Sequence, residues 1–374
     1  MPLSPHPESH LPISPNIAPE DRYSRQILFS GIGITGQQAL AASHVAIIGC
    51  GATGAASASL LARAGVGTLT LIDRDFVEPS NLQRQVLFDE ADALQSLPKA
   101  EAARQKIALF NSDITVHPHI ADLIPANIHE LLASAHLILD ATDNFETRYL
   151  INDYAVQQAK PWIYAAAVGA YAASMNILPK PLSSNSAETH PPFTPSACLA
   201  CIFPKPPSGL VETCDTAGIL STAVNLAASI QVTEALKFLT GQPHIMRRTL
   251  LSFDLWTSEA NGSLNRSEIN TSSPNPNCSV CGRRLFTHLA GEGRPHITLC
   301  GRNSVQIHEH HRPVDFAAMR DRLAPHGTVR FNDLLLRFNR PPHTISLFRD
   351  GRAIIQGTTD TTLARSLYAR FIGS

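Results

Sequence analysis

Short apolar runs alternate with helix-like stretches along the first two thirds of the chain. The apolar runs are continuous rather than alternating, which is typical of strands buried on both faces of a parallel sheet. Such strands are predicted at 45–48, 68–72, 137–139 and 162–167. Helices are predicted at 55–64, before Gly65, and at 99–110, after Pro98. The alternation of strand and helix predicts an α/β fold with a doubly wound, mainly parallel sheet.

The rest of the chain has a different pattern. Apolar residues spaced by three and four predict a helix over 217–239, and polar stretches rich in proline predict loops at 180–197 and 258–277. A smaller α+β unit follows, with strands predicted near 296–299, 304–308, 328–337, 343–348 and 352–356 and helices near 314–323 and 360–371. The predicted organisation is a disordered tail at 1–20, a main domain at 21–285 and a small C-terminal domain at 286–374.

Composition excludes several functional classes. The 374 residues are 44% apolar and 16% charged, with a net charge of −1 and 7 cysteines. A nearly neutral chain has no general attraction for nucleic acid or an anionic membrane. No apolar run is long enough to span a bilayer, and residues 1–20 lack the apolar core of a secretory signal. The small number of cysteines disfavours a disulfide scaffold, and we expect them to be metal ligands or free thiols. Together these features predict a soluble cytoplasmic protein.

A glycine-rich loop follows the first predicted strand. Gly49, Gly51 and Gly54 form the pattern G-x-G-x-x-G between that strand and a helix. This setting is the Rossmann-like nucleotide-binding one, in which glycines admit the phosphates and the helix N-terminus attracts them. Asp73 comes nineteen residues after Gly54, at the end of the next strand, where an acidic side chain can bind a ribose. A tight turn without a ligand is the alternative.

Charged and amide side chains are predicted near this loop. They are Arg25, Asn81, Gln83, Arg84, Lys99 and Asp143. A basic cluster with one aspartate suits Mg-ATP better than a nicotinamide cofactor, since cations neutralise phosphate charge and a carboxylate can hold Mg²⁺. The alternative is that the basic residues are solvated surface charges.

The cysteines form two C-x-x-C pairs, Cys198 with Cys201 and Cys278 with Cys281. Four thiolates can close a tetrahedral structural zinc site, so this spacing predicts shared zinc. A redox dithiol or two incidental pairs are the alternatives. Cys214 precedes the helix predicted at 217–239, where a thiol can be activated or can simply be partly buried.

The remaining cysteines and a histidine cluster carry no such pattern. Cys50 and Cys300 are expected to be passive small residues. His308, His310 and His311 lie together without matching ligands, which favours a solvated patch.

Six separated motifs resemble the ThiF/MoeB/HesA-type adenylyltransferases, relatives of the ubiquitin-activating E1 enzymes. They are Arg22–Gln26, the loop at 49–54, Asp73–Asp75, Ser80–Gln85, Pro98–Lys99 and Thr142–Asn144. Segments at 299–302, 347–352 and 366–370 also resemble the extra domain of ThiF proteins from Gram-positive bacteria. Thr53 departs from the aliphatic residue usual in the glycine loop of the family.

The resemblance implies a nucleotidyltransferase that uses ATP and Mg²⁺. It would adenylate the C-terminal Gly-Gly carboxylate of a ubiquitin-like sulfur carrier, for thiamine or, less favoured, molybdopterin synthesis. In this scheme Asp73 binds the ribose, Arg84 and Lys99 bind the phosphates, Asn81 and Gln83 orient them and Asp143 holds Mg²⁺. Arg25 would reach an active site, either in its own chain or in a homodimer partner. Cys214 could form an adduct with the carrier.

Further partners and rival functions follow from the same resemblance. A cysteine desulfurase or another sulfur donor is an expected partner. One alternative is an E1-like enzyme that adenylates a peptide in natural-product synthesis. Others are an NAD-dependent dehydrogenase, which leaves the basic residues without a role, and an inactive zinc-stabilised scaffold.

Overall fold

The fold consists of two β-sheets, each with its own hydrophobic core. A computed structural model describes residues 18–181, 193–205, 217–259, 262–291, 298–299, 304–307, 314–332, 334–349 and 351–373. The predicted tail at 1–20 and the histidine cluster therefore lie largely or wholly outside the described residues. Within these ranges, no helix is both long and apolar enough to cross a bilayer.

The first sheet and its helices occupy the chain up to Asn270. The strands are β1 His44–Ile48, β2 Thr68–Ile72, β3 Thr115–His119, β4 Leu137–Asp140, β5 Trp162–Val168, β6 Tyr171–Ile177, β7 Thr249–Ser258 and β8 Leu264–Asn270. The helices are α1 Pro19–Arg22, α2 Ser24–Ile27, α3 Gly33–Ala41, α4 Ala52–Ala64, α5 Glu90–Gln95, α6 Lys99–Phe110, α7 Ile128–Leu132, α8 Phe145–Gln158, α9 Leu199–Ile202 and α10 Ser221–Leu239.

The strand order of this sheet is β3-β2-β1-β4-β5-β6-β7-β8. Strands β1 to β5 pair in parallel, and β6 to β8 continue the sheet in antiparallel fashion. The chain moves outward from β1 to β2 and β3, and then returns to the other side of β1 with β4. This reversal of direction opens a crevice at the carboxyl ends of the strands, as in other doubly wound sheets. The predicted mixed α/β architecture with a mainly parallel portion is confirmed.

Hydrogen-bond register aligns the strand ends at this crevice. Ile48 of β1 is paired with Ile72 of β2 and with Asp140 of β4, and Ile72 is paired with His119 of β3. Four loops therefore begin side by side at one edge of the sheet.

A buried glutamine joins the helices to the sheet beneath the crevice. Gln231 of α10 is fully buried and donates its amide to the carbonyls of Asp140 and Ile163, both at 2.8 Å. Its Oε1 accepts a hydrogen bond from Ser57 Oγ of α4 at 2.9 Å. Both N–H groups and the oxygen of this side chain are thus hydrogen-bonded, so its burial costs little free energy. The same bonds hold α4 and α10 against β4 and β5.

The prediction of a loop at 258–277 is wrong in part, because strand β8 lies within this range. Strand β8 is mostly exposed and polar, and its register against β7 runs from Thr249–Asn270 to Ser258–Leu264. A strand without a buried face has no apolar pattern to reveal it. The sequence of β3, with two histidines and a proline, hid that strand for the same reason.

The second sheet is antiparallel and has the order β11-β12-β13-β14-β10-β9. Its strands are β9 Thr298–Leu299, β10 Ser304–Ile307, β11 Thr328–Phe331, β12 Leu335–Arg340, β13 His343–Phe348 and β14 Ala353–Gln356, with helices α11 Phe316–Leu323 and α12 Thr361–Phe371. The predicted α+β character is confirmed.

The single strand predicted at 328–337 is in fact two. Asn332 Oδ1 accepts the backbone N–H groups of Leu334 and Leu335 at 2.9 and 3.0 Å, and this side-chain turn folds β11 back on β12.

Candidate active site

A cavity lies at the carboxyl ends of β1 to β4. Its walls come from the four loops that the register brings together, with further residues from α6 and β5. The lining residues include Gly49, Gly51, Thr53, Asp73, Arg74, Asp75, Arg84, Gln85, Lys99, Asp122 and Asp143.

The glycine loop brings the N-terminus of α4 to the cavity. Gly49 has φ +89°, and a Cβ there would lie 2.7 Å from the carbonyl oxygen of Ala141. A Cβ on Gly54 would lie 1.8 Å from the oxygen of Gly49, so helix and strand can approach this closely only with glycine. Gly51 is the N-cap of α4 and supplies no capping side chain. The first-turn N–H groups can therefore bind an anion in the cavity.

Asp73 is held in place by this loop. Its Oδ2 accepts the backbone N–H of Cys50 at 2.6 Å, and its Oδ1 accepts that of Asp75 at 2.7 Å. Each carboxylate oxygen keeps a second lone pair, which suits two neighbouring hydroxyl groups. Burial raises the pKa of Asp73, and the nearby Lys99 and the two backbone N–H groups oppose that rise.

Charges of both signs line the cavity in alternation. The buried Lys99 Nζ lies 3.1 Å from Asp75 Oδ2, and Arg74 Nη1 lies 2.5 Å from Asp122 Oδ1. The prediction of a basic cluster with one aspartate is therefore incomplete, because further carboxylates are paired with the cations at the cavity wall. Arg74 and Asp75 belong to the motif Asp73–Asp75 but had no role predicted for them, and Asp122 was not predicted because β3 before it was not recognised.

Two aspartates at the end of β4 differ in their surroundings. Asp140 is fully buried, its Oδ2 is 3.3 Å from Arg148 Nε, and its Oδ1 accepts the backbone N–H and hydroxyl of Thr142. Burial raises the pKa of Asp140, and Arg148 opposes that rise. Asp143 is exposed and lines the cavity just before α8. Of the two carboxylates, Asp143 is the one accessible to a cation.

The four cysteines of the two C-x-x-C pairs come together away from the cavity lining. Sγ distances are 3.8 Å for Cys198–Cys201, 3.6 Å for Cys198–Cys278 and 3.3 Å for Cys201–Cys281. All four sulfur atoms lie within 4.8 Å of one another. A tetrahedral ion with Zn–S bonds of about 2.3 Å requires sulfur atoms about 3.8 Å apart. The backbone N–H of Asn275 also points to Cys201 Sγ at 3.4 Å, as it would to a thiolate.

Comparison with known proteins identifies the family. The ThiF family model matches residues 23–280. The chain belongs to the ThiF family. It is 42% identical to the sulfur carrier protein ThiS adenylyltransferase of Bacillus subtilis (strain 168), over 94% of this chain and 99% of that protein. It is 34% identical to the sulfur carrier protein adenylyltransferase of Thermus thermophilus, over 70% of this chain and 90% of that protein.

Solved structures show the same fold. The crystal structure of E. coli MccB superposes on this ThiF-family chain with a TM-score of 0.56 at 24% identity, over 72% of this chain and 74% of that one. At this identity the likeness concerns the fold alone.

Within this ThiF-family fold, the predicted site residues separate into two groups. The residues that line the cavity are Gly49, Gly51, Asp73, Arg84, Lys99 and Asp143. Those that do not are Arg25, Gly54, Asn81 and Gln83. Cys214 and Cys300 lie outside the described residues.

Asn81 and Gln83 do not line the cavity, and their surroundings differ. The buried Asn81 accepts the backbone N–H of Glu78 at 3.1 Å and closes the turn that precedes Arg84, whereas Gln83 is exposed. Their neighbour Gln85, which was not singled out, lines the cavity and is 2% exposed. Its Oε1 is buried and has no hydrogen-bond partner among the described residues.

The remaining cysteine near the site is structural. Cys50 is fully buried in the main core, and burial raises the pKa of its thiol well above the usual value. A protonated, enclosed thiol is a poor nucleophile, which agrees with the passive role expected.

The glycine loop yields a matched pair of variants. We expect G54A to destabilise the protein by about 3 kcal/mol or more, because its Cβ would overlap a carbonyl oxygen. A Cβ on Gly51 meets no atom within 4 Å, so G51A should stay within about 1 kcal/mol of the parent in urea unfolding. G51A should nevertheless bind ATP more weakly in equilibrium dialysis, because the added methyl group stands where an anion approaches α4. Equal stability of the two variants would contradict the close-approach argument.

Proposed function

We propose that this chain adenylates the C-terminal Gly-Gly carboxylate of a ubiquitin-like sulfur carrier with Mg-ATP, releasing pyrophosphate. The chain is a nucleotidyltransferase. The observation that carries the proposal is the cavity itself, in which a glycine loop, a buried lysine, an arginine and an accessible aspartate converge. A relative named as a ThiS adenylyltransferase matches nearly the whole chain, the C-terminal unit included, which supports a ThiS-like carrier and sulfur transfer for thiamine.

The reaction needs no nucleophile from the protein. A carboxylate oxygen of the carrier attacks the α-phosphorus of ATP, and the bond from that phosphorus to the bridging oxygen breaks. Pyrophosphate leaves with the electron pair of that bond, and the carrier becomes an acyl-adenylate. Catalysis then consists of holding the two reactants in line and stabilising charge on the phosphates.

Several lining residues have a role in this scheme. Asp73 accepts hydrogen bonds from the ribose hydroxyls, and the N-terminus of α4 binds the phosphates. Lys99 and Arg84 neutralise phosphate charge, with Lys99 sharing its ammonium between Asp75 and the nucleotide, since it has three N–H donors.

A magnesium ion is expected at Asp143. The carboxylate is exposed to the cavity, whereas Asp140 beside it is committed to Arg148. When bound, Mg²⁺ would neutralise phosphate charge and orient the triphosphate. Oxygen ligands of this kind are those that Mg²⁺ prefers.

The rival functions are less well supported. An NAD-dependent dehydrogenase is disfavoured by membership of the ThiF family. A peptide-adenylating enzyme would use the same cavity, but the match to a ThiS adenylyltransferase across 94% of the chain favours a carrier protein. Later conversion to a thiocarboxylate would require a sulfur donor such as a cysteine desulfurase, and an adduct at Cys214 belongs to that later step.

We propose that the four-cysteine cluster holds one structural Zn²⁺. The sulfur spacing fits a tetrahedral site, and the cluster lies in the core that includes α8 and Val280. Zinc would join α9 to the segment after β8, remote in sequence from it. None of the four cysteines lines the cavity, so the ion would stabilise the fold rather than take part in adenylation.

We also propose that the protein is a homodimer in which Arg25 serves the partner's cavity. Arg25 is exposed on α2 and does not line the cavity of its own chain. The adjacent Leu28 and Phe29 are 73% and 64% exposed, and Ile34 is 66% exposed. Such clustered apolar residues are typical of a surface that another protein covers.

Carrier-dependent ATP–pyrophosphate exchange tests the proposed function. With a ThiS-like carrier ending in Gly-Gly, we expect exchange in the wild-type protein and a loss of about 100-fold or more in R84A and D143A. R84A removes a positive charge that neutralises the triphosphate, and D143A removes the carboxylate expected to hold Mg²⁺. A carrier lacking the last glycine is the substrate control. E146A is the matched protein control, since Glu146 is also exposed but does not line the cavity.

Two outcomes would overturn this proposal. One is intact ATP binding without exchange for any Gly-Gly carrier, and the other is exchange with a free peptide alone. Full activity in both R84A and D143A would instead refute the assigned roles.

Metal analysis tests the zinc site. We expect one zinc ion per chain in the purified protein, and none in C198S/C278S. Loss of the ion should lower the thermal unfolding midpoint by about 5 to 10 °C, because the site crosslinks distant segments. A C50S variant is the control for zinc content, since Cys50 lies outside the cluster. Zinc-free protein with an unchanged midpoint would contradict a structural role.

Mixing of inactive variants tests the role of Arg25. R25A and R84A should each be inactive as homodimers, but a mixture should regain about a quarter of the activity per chain once subunits exchange, because half the dimers are then mixed and each holds one intact site. No recovery in verified mixed dimers would show that Arg25 does not act across an interface.

A further inference from the structure

The C-terminal unit packs on the loops that form the cavity. Phe76 follows the cavity-lining residues 73–75 and is buried against Leu335, Phe348 and Ile354 of the second sheet. Ile120, at the start of the loop after β3, packs against the same cluster. An apolar contact thus fixes the second sheet against the loops after β2 and β3.

A buried arginine of the C-terminal unit reaches the wall of the cavity. Arg352 is 3% exposed and its guanidinium lies 4.1 Å above the ring of Phe348. Its Nη2 donates to the carbonyl oxygen of Ile120 at 2.8 Å, and its Nη1 lies 3.6 Å from Asp122 Oδ2. Asp122 lines the cavity, so Arg352 is one side chain removed from it.

Asp122 connects this arginine to the cations of the cavity. Its other oxygen, Oδ1, is 2.5 Å from Arg74 Nη1, and Arg74 Nε is 3.9 Å from Asp75 Oδ1. Asp75 in turn pairs with Lys99 at 3.1 Å. Charges of alternating sign therefore run from the second sheet to the buried lysine of the glycine-loop site, and we name Arg352, Asp122, Arg74, Asp75 and Lys99 the charge ladder.

We propose that Arg352 is a positioning residue for nucleotide binding, acting through Asp122 on Arg74, so that the C-terminal unit completes the ATP site. The inference rests on the proposed use of ATP by this cavity. Without Arg352, Asp122 carries its negative charge beside the phosphates with one partner fewer. It also loses the contact that holds the loop after β3 to the second sheet. Both effects weaken the binding of an anionic nucleotide.

A neighbouring arginine provides the matched control. Arg337 also belongs to the second sheet and packs across the same boundary, with its guanidinium 4.8 Å from the centre of the Phe76 ring and Nη2 3.8 Å from Glu78 Oε1. Neither Phe76 nor Glu78 lines the cavity. R337Q therefore perturbs the contact between the two units without touching the charge ladder.

Direct ATP binding and steady-state kinetics test the proposal on the full chain. We expect R352Q to raise the Kd and the KM for ATP roughly tenfold, while the KM for the carrier and kcat change less than threefold. R352K keeps the charge and should recover part of the affinity. R337Q should bind ATP like the wild type. Circular dichroism and thermal unfolding establish that each variant is folded.

A double-mutant cycle identifies the route of the effect. If Arg352 acts through Asp122, R352Q should change ATP affinity less than twofold in a D122N background. Unchanged ATP affinity in folded R352Q, equal losses in R352Q and R337Q, or full additivity with D122N would each overturn the proposal. Should R352Q fail to fold, the cycle uses R352M, which also removes the charge, and wild-type affinity in that variant is then the contradicting result.

Failure of this inference can be told apart from failure of the proposed function. ATP binding is measured by equilibrium dialysis without any carrier. A wild-type protein that binds ATP but catalyses no carrier-dependent exchange would refute the adenylation proposal, yet the binding comparison would still decide the role of Arg352.

Discussion

The alignment of parallel strand ends is the constraint on which the site depends. Backbone pairing places Ile48, Ile72, His119 and Asp140 in one row, so the loops after β1 to β4 start at the same level. Because the chain reverses direction at β1, a crevice opens at the carboxyl ends of these strands. Side chains from distant positions in the sequence can therefore meet around one ligand. The close approach of α4, possible only with glycine at position 54, adds the helix N-terminus to the same place.

Electrostatic balance follows from that convergence. Several carboxylates in one cavity would repel one another and a nucleotide, and the structure offsets this by pairing Asp75 with Lys99 and Asp122 with Arg74. These pairs hold the cations at the cavity wall before any ligand binds. The outermost neighbour in this arrangement, Arg352, comes from the second sheet. The small C-terminal unit is thus in direct contact with a residue that lines the cavity.

The sequence predicted most strongly the features that depend on local pattern. Continuous apolar runs identified the central parallel strands, the spacing of glycines identified the loop before α4, and the C-x-x-C pairs identified the sulfur cluster. Exposed or polar elements such as β8 and β3 lacked any such pattern and were missed. Asp122 was therefore not predicted as a site residue, because a residue can be placed at a strand end only when the strand itself is recognised.

The sequence by itself determined the doubly wound class of the fold. It also determined that the glycine loop and Asp73 belong to one site and that four cysteines form a cluster. These follow from chain-local rules on burial, turns and ligand spacing. Only the tertiary structure decided which charges face the cavity, that Gln85 rather than Gln83 lines it, and that the second sheet contacts it through Arg352. The reason is that a side chain's direction, and its partners across the fold, depend on how separate elements pack, which no local pattern records.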